Sequence, residues 1–199
     1  ANAGVIEKIA QLLASRGVLN VVLGGRRIER KVSLDIGRVH YDFIRFVGTT
    51  GDDPAEGYAW IPDTGDLRVG DKIAIVGAAG PMGQMHTMRA VTSDVPGISV
   101  VGTDLSDERL AGLKAVVGPV AEKRGVPLSI INTSVTPLEY GYTHITCLVP
   151  VPALVAGAVD LAAEGAIINA FAGIPAGTFG DFDLQGIIER RVFMLGTSG

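Results

Sequence analysis

The chain has 199 residues, 47% of them apolar and 19% charged, with a net charge of −4 and a single cysteine. That is enough apolar material for a packed core and too little charge for a disordered segment. The acidic balance argues against nucleic acid as a partner, one thiol excludes an internal disulfide, and no apolar run reaches the roughly 20 residues of a membrane-spanning helix.

Near the N-terminus, Ile6, Ile9, Ala10 and Leu13 fall on one face of a helix, and Val18–Leu23 and Phe43–Val47 read as strands. Sliding the chain on itself by 148 residues, without a gap, pairs this segment with the C-terminus. Leu13, Ala14, Gly17, Gly25, Asp35, Gly48, Thr49 and Gly51 fall on Leu161, Ala162, Gly165, Gly173, Asp183, Gly196, Thr197 and Gly199. Ile44, Phe46 and Val47 likewise match Val192, Met194 and Leu195. Residues 1–51 are therefore expected to be the last helix and two strands of a second, partial copy of the C-terminal unit. The chain would then begin in the middle of a fold, within a longer protein. The alternative is that successive strand–helix units resemble one another without a duplication. Residues 52–69 are expected to form a connector, with Asp52 and Asp53 as solvated turn residues.

From residue 70 the pattern changes. Short runs rich in Ile and Val (Lys72–Gly77, Ile98–Asp104, Leu128–Asn132, His144–Pro150, Ala166–Gly173 and Val192–Gly196) are apolar at nearly every position. Strands covered on both faces read this way. Helical spacing separates them: Met82, Met85, Met88 and Val91 after Pro81; Leu110, Leu113, Val117 and Ala121, with a break expected at Gly118-Pro119; and Leu154, Val155, Ala158, Val159 and Ala162 after Pro152. The three methionines and Cys147 are expected in the core. Alternation of this kind predicts an α/β fold with a doubly wound parallel sheet, the Rossmann fold, over residues 70–199, with strand order 3-2-1-4-5-6.

Gly77-Ala78-Ala79-Gly80-Pro81-Met82-Gly83 joins the first of these strands to its helix. A pyrophosphate must approach backbone N–H groups there, and a Cβ in the turn would obstruct it; the helix N-terminus adds free donors and partial positive charge. Gly77 is assigned to the tight turn, Gly80 to the pyrophosphate and Gly83 to close helix–strand packing. Asp104 closes the next strand, where a carboxylate accepts from ribose hydroxyls and repels a 2′-phosphate, favouring NAD. Its alternative role is to cap the following helix, for which Ser106 and Asp107 are also available. Arg109 is placed over the adenosine or on the solvated surface.

The run Gly65-Asp66-Leu67-Arg68-Val69-Gly70-Asp71-Lys72 leading into this loop resembles the medium-chain dehydrogenase/reductase family of zinc-type alcohol, polyol and sugar dehydrogenases. Cys147-Leu148-Val149-Pro150-Val151-Pro152 is similar to the family's fourth strand and turn, and Gly165–Gly173 and Gly196-Thr197-Ser198-Gly199 to its last two strands. The sorbitol and sorbose-phosphate type is the nearest. The resemblance implies the NAD(H)-binding domain of an oxidoreductase acting on a small alcohol or sugar, with Val149, Val151, Ala172 and Gly173 at the nicotinamide half. It also implies pairing of sixth strands, here Phe43–Val47 and Val192–Gly196, within one chain or between two copies.

The departures are equally plain. The family's catalytic domain, often carrying zinc on Cys, His and Glu, has no counterpart here, and Cys147, His40, His86 and His144 lack metal-ligand spacing. No catalytic or metal-binding residue is assigned, and zinc is expected only in the parent protein. A cytoplasmic location is expected by default, since no signal pattern opens the chain. A non-catalytic nucleotide-sensing or assembly module, or a lyase or epimerase with held NAD, stands as the alternative function.

Overall fold

The computed structural model describes residues 1–197. Ser198 and Gly199, and with them the end of the Gly-Thr-Ser-Gly motif and the Gly51–Gly199 match, lie outside the described residues.

Helix α1 (Ala3–Gln11) is capped by Asn2, whose side chain accepts from the Val5 amide at 3.1 Å. It packs through Ala3, Ile6 and Ala10, whereas Ile9 is exposed beside Val5 and Leu12, contrary to the face read from the sequence. The packed stripe is rotated because α1 lies against strand β2. Strand β1 (Val18–Val22) is followed by β2 (Val32–Asp35), helix α2 (Ile36–Tyr41) and β3 (Arg45–Thr49). β1 and β3 pair in parallel. The expected connector contains helix α3 (Pro54–Ala59), with Asp53 as its N-cap and Pro54 in its first turn.

The remaining elements are β4 (Lys72–Val76), α4 (Pro81–Thr92), β5 (Ser99–Asp104), α5 (Asp107–Arg124), β6 (Leu128–Asn132), β7 (Tyr142–Cys147), α6 (Pro152–Leu161), β8 (Ala162–Ala170), β9 (Phe179–Phe182), α7 (Leu184–Glu189) and β10 (Phe193–Leu195). Six strands form one parallel sheet in the order β10-β8-β7-β4-β5-β6, which is the doubly wound order with β4 as strand one. Alternation along the strands divides the core. Ile73, Ile75 and Val100 pack with Leu110, Leu113 and Val117 of α5, while Ala74, Val101, Ile145 and Ile168 face Val155 and Val159 of α6. Truncating a residue such as the fully buried Leu113 to Ala would cost ~2–5 kcal/mol.

Two expectations about helices fail here. α5 continues through Gly118-Pro119 to Arg124, because Leu110, Leu113, Val117 and Ala121 are all buried on one face and hold both halves in line. Of the three α4 methionines expected in the core, only Met88 packs against it, half-buried. Met82 and Met85 are exposed, and the buried residues are Gly83, Thr87, Ala90 and Val91, since α4 lies too close to β4 to accommodate larger ones.

The 148-residue correspondence extends to whole elements. α1, β1, β2, α2 and β3 stand in the order and spacing of α6, β8, β9, α7 and β10. Asp35 caps α2 by accepting from the Arg38 amide, as Asp183 caps α7 by accepting from Gly186. Phe43 and Arg191, at matching positions just before β3 and β10, both have positive φ (55° and 56°). The two sets face each other reciprocally. β2 pairs antiparallel with β9 about Ser33 and Asp181, themselves matching positions. A Cβ at Gly48 would lie 2.8 Å from Ile188 of α7, and one at Gly196 would lie 2.4 Å from the Cα of His40 on α2. This is the i-to-j, j-to-i pattern of a two-fold interface, built inside one chain. The two halves are therefore joined through β2–β9. β3 and β10 form no ladder with each other among the described residues; they meet through side chains, with Val47, Phe193 and Leu195 in one cluster.

Glu7 ties α1 to β2. Its carboxylate accepts from both Arg30 amino groups, at 2.5 and 2.9 Å, and from the Ser33 amide at 2.9 Å, which together hold its pKa at about 2, below the ordinary 4.5. A carboxyl depressed on folding contributes stability that is complete above its unfolded pKa and lost as pH falls toward its folded one. Urea unfolding should thus show wild type losing its advantage over Glu7→Gln between pH 4.5 and about 2. A difference that stays constant across that window would remove Glu7 as the link. The pair is solvent-facing, so the effect is modest and reduced by salt.

Candidate functional site

β4 ends at Val76 and the chain turns sharply at Gly77, where φ is +85°. The turn is tied to the next strand: the Gly77 and Ala78 amides both donate to the Thr103 carbonyl, at 3.0 and 2.7 Å. A Cβ at Gly77 would lie 2.4 Å from Val149 Cγ2, and one at Gly83 would lie 2.2 Å from the Gly77 carbonyl oxygen. Both positions are closed to any side chain. Gly80 differs, because a Cβ there would meet only the Gly77 oxygen, at 3.7 Å. As N-cap of α4, Gly80 supplies no side-chain acceptor, and Pro81 has no N–H to satisfy. The Met82 and Gly83 amides precede Gln84, the first amide to donate within the helix (to the Gly80 carbonyl), and so have no intrahelical acceptor.

Asp104 ends β5 beside the turn and is 5% exposed. Burial pushes its carboxyl pKa up, but hydrogen bonds from Arg109 and from the Leu105 and Ser106 amides outweigh this and hold it below the usual carboxylate range. All three donors converge on Oδ1. Oδ2 is buried and has no partner among the described residues. Ser106 caps α5, its hydroxyl accepting from the Arg109 amide at 3.3 Å, so Asp104 is not engaged as that helix's cap.

A cleft of about 440 Å³ opens here, at the carboxyl ends of β4 and β5. That size lies in the ~300–1,000 Å³ range of small-molecule sites. Gly77, Asp104, Arg109 and Val149 all border it, Gly77 being the residue of the glycine turn that lines it. Its far wall was not read from the sequence: Ala153, Leu154 and Gly157 of α6, with Leu138 from the segment after β6. Small residues at Ala153 and Gly157, one turn apart, were the available signal. Val151, N-cap of α6, and Ala172 and Gly173, past the end of β8, lie outside this cleft. Ala172 is fixed there by its amide, which donates to the Cys147 carbonyl at 2.9 Å. A larger depression of about 610 Å³, between Ser93–Ile98 and Lys123–Pro127, lies at the amino ends of the strands, away from all these groups.

Cys147 is wholly buried, and burial pushes its thiol up to about 12, so it is no nucleophile. Of the three histidines, far apart in sequence, His40 and His86 come to the end of β8, and His144 lies near the start of β7. His40 shares a hydrogen bond at 2.9 Å with the Ala170 carbonyl, His86 stands edge-on to Phe171, and His144 reaches the Gly65 carbonyl at 3.2 Å. Burial lowers the pKa of both His86 and His144. Among the described residues no three His, Cys, Asp or Glu side chains are grouped to hold a metal ion, and no helix is long and apolar enough to cross a membrane.

No family model matches the chain. It is 30% identical over 146 residues to the uncharacterized protein YggP of Escherichia coli K12, a stretch covering 67% of this chain and 34% of that protein. Among solved structures, a putative zinc-binding dehydrogenase from Sinorhizobium meliloti, bound to NADP, matches 66% of this chain and 38% of its own, with a TM-score of 0.51 at 17% identity. An alcohol dehydrogenase zinc-binding domain protein from Burkholderia ambifaria matches 66% and 34%, with a TM-score of 0.50 at 19% identity. At such identities the likeness establishes the Rossmann-type fold. The chain spans about a third of the length of the relatives it matches.

Proposed function

We propose that this chain contains the NAD(H)-binding domain of an alcohol, polyol or sugar dehydrogenase of the medium-chain type, at residues 70–199. The observation carrying this reading is the buried Asp104 Oδ2, without a hydrogen-bond partner among the described residues, on a residue that borders the same cleft as Gly77. A buried carboxylate oxygen without a donor is costly, and a ribose hydroxyl would relieve it. The α4 amides supply donors for a pyrophosphate, and Val149, Val151, Ala172 and Gly173 lead toward the nicotinamide. When bound, the nicotinamide would accept or donate hydride at C4. The protein's part is to hold and orient the cofactor. Groups that polarise the alcohol or carbonyl, and the substrate itself, are assigned to another domain.

Titration with NADH, followed by its fluorescence, tests the assignment. Saturable binding is expected, tighter for NADH than for NADPH. Absence of binding at millimolar cofactor would remove the site. Binding of NADH by a longer form of the protein that oxidises no alcohol or polyol would favour a nucleotide-sensing module.

A further inference from the structure

The reciprocal packing of the two halves places α2 of the incomplete copy on the strand ends of the complete one, and α7 of the complete copy on the strand ends of the incomplete one. Matching positions on the two helices are therefore in matching surroundings. On α7 they are Ile188 and Glu189; on α2 they are His40 and Tyr41. Packing asks only for an apolar residue at the first position, which Ile188 supplies against Gly48. A buried imidazole in its place needs a hydrogen bond to be tolerated. His40 has one: a carbonyl only accepts, so Nδ1 carries the proton and donates it to Ala170 at the end of β8.

Around this anchor lies a row of rings. His40 stands edge-on to Tyr41 (centroids 4.5 Å apart, planes at 88°) and to Phe171 (6.5 Å, 74°), and Phe171 continues to His86 on α4 (4.7 Å, 70°). Tyr41 is half exposed, and its hydroxyl oxygen would lie 3.3 Å from a Cβ at Gly173. The row thus runs from the helix that begins at the glycine turn, across the end of β8, to a helix of the other copy.

We propose that the incomplete copy completes the cofactor site of the complete one: Tyr41 and Phe171 form an aromatic wall for the nicotinamide ring, and His40 is the positioning residue that fixes α2 to the end of β8. This rests on the dinucleotide reading above. It also gives the reciprocal interface a functional consequence, since His40 and Tyr41 stand at the cofactor-holding half where the matching helix has Ile188 and Glu189.

Calorimetric binding of NADH and of ADP-ribose to the 199-residue chain separates the two ideas, because ADP-ribose carries the pyrophosphate and adenosine without the nicotinamide. Tyr41→Ala and Phe171→Ala should each weaken NADH by about three- to tenfold and leave ADP-ribose unchanged. His40→Ala should do the same, and His40→Asn, which retains an N–H donor for Ala170, should recover part of the loss. Glu189→Ala, at the position matching Tyr41, should affect neither ligand. If ADP-ribose binds and NADH is insensitive to Tyr41 and Phe171, the aromatic wall is wrong and the glycine-turn site stands. If neither ligand binds, the dinucleotide reading fails and takes this one with it. Unchanged ADP-ribose affinity also shows that each variant is folded.

Discussion

Gly80→Ala is expected to abolish most of the NADH affinity while leaving the fold intact, and Gly83→Ala to damage both. The two glycines are three residues apart in one turn, yet their surroundings differ. At Gly80 the backbone is extended (φ −74°, ψ 169°) and a Cβ would meet nothing closer than 3.7 Å. Alanine fits there without strain, and the less flexible unfolded chain would add ~0.4–1 kcal/mol to stability. The new methyl group would stand at the N-terminus of α4, where a pyrophosphate must approach. Loss of one or two charge-assisted hydrogen bonds, at ~1.5–3 kcal/mol each, corresponds to at least about a tenfold weakening. At Gly83 the Cβ would lie 2.2 Å from the Gly77 oxygen and 2.5 Å from Ala78 backbone atoms. Backbone cannot step aside as a flexible side chain can, so α4 must lift from β4 at a cost of ~1–3 kcal/mol or more. Urea unfolding and NADH titration on the two variants check this together. A Gly80→Ala protein that binds NADH as wild type does would show that the turn holds no pyrophosphate.

Where the sequence was legible, a single physical constraint dominated. Strands buried on both faces must be apolar throughout, so the order of the six-stranded sheet followed from counting runs. Glycine positions were legible because a left-handed φ at Gly77 and a backbone contact at Gly83 exclude other residues. Reading failed where two constraints competed. Met82 and Met85 have helical spacing and apolar side chains, but the closeness enforced by Gly83 reserves the buried face for Thr87, Ala90 and Val91. Pro119 removes one helical hydrogen bond, and four buried residues along α5 outweigh that loss. In the N-terminal half, the matches at Asp35 and Asp183 were visible, but their meaning as helix caps was not, so α2, α7 and the β2–β9 ladder went unread. Asp53-Pro54 is a similar cap signal that reads equally as a turn. The far wall of the cleft and the ring row at Phe171 depend on residues brought together only by tertiary folding, as with His40 and His86. No periodicity in one segment carries that information.

Asp104→Asn is expected to reduce the preference for NADH over NADPH by about tenfold or more, chiefly by removing charge. In wild type Oδ1 is fully engaged by Arg109, Leu105 and Ser106, so the carboxylate is held in place and Oδ2 is the oxygen left without a partner among the described residues. Asparagine can keep its oxygen on the two amides and present its NH₂ where Oδ2 stood. Ribose hydroxyls lose a charged acceptor, and a 2′-phosphate no longer meets a negative group. Arg109, whose side chain is 59% exposed, also loses its ionic partner and becomes free to pair with that phosphate. The two effects act in opposite directions on the two cofactors, which is why the ratio is the sensitive measurement. The pH dependence is a second check on the same group. Because the folded carboxyl sits below the usual carboxylate range, it stays ionised through mildly acidic conditions, and wild-type NADH affinity should hold steady from neutrality until pH falls below that range. The Asn variant should show no step attributable to this position at any pH. If the NADH-to-NADPH ratio is the same in both proteins, Asp104 is not the ribose acceptor, and its unpartnered oxygen must be satisfied some other way.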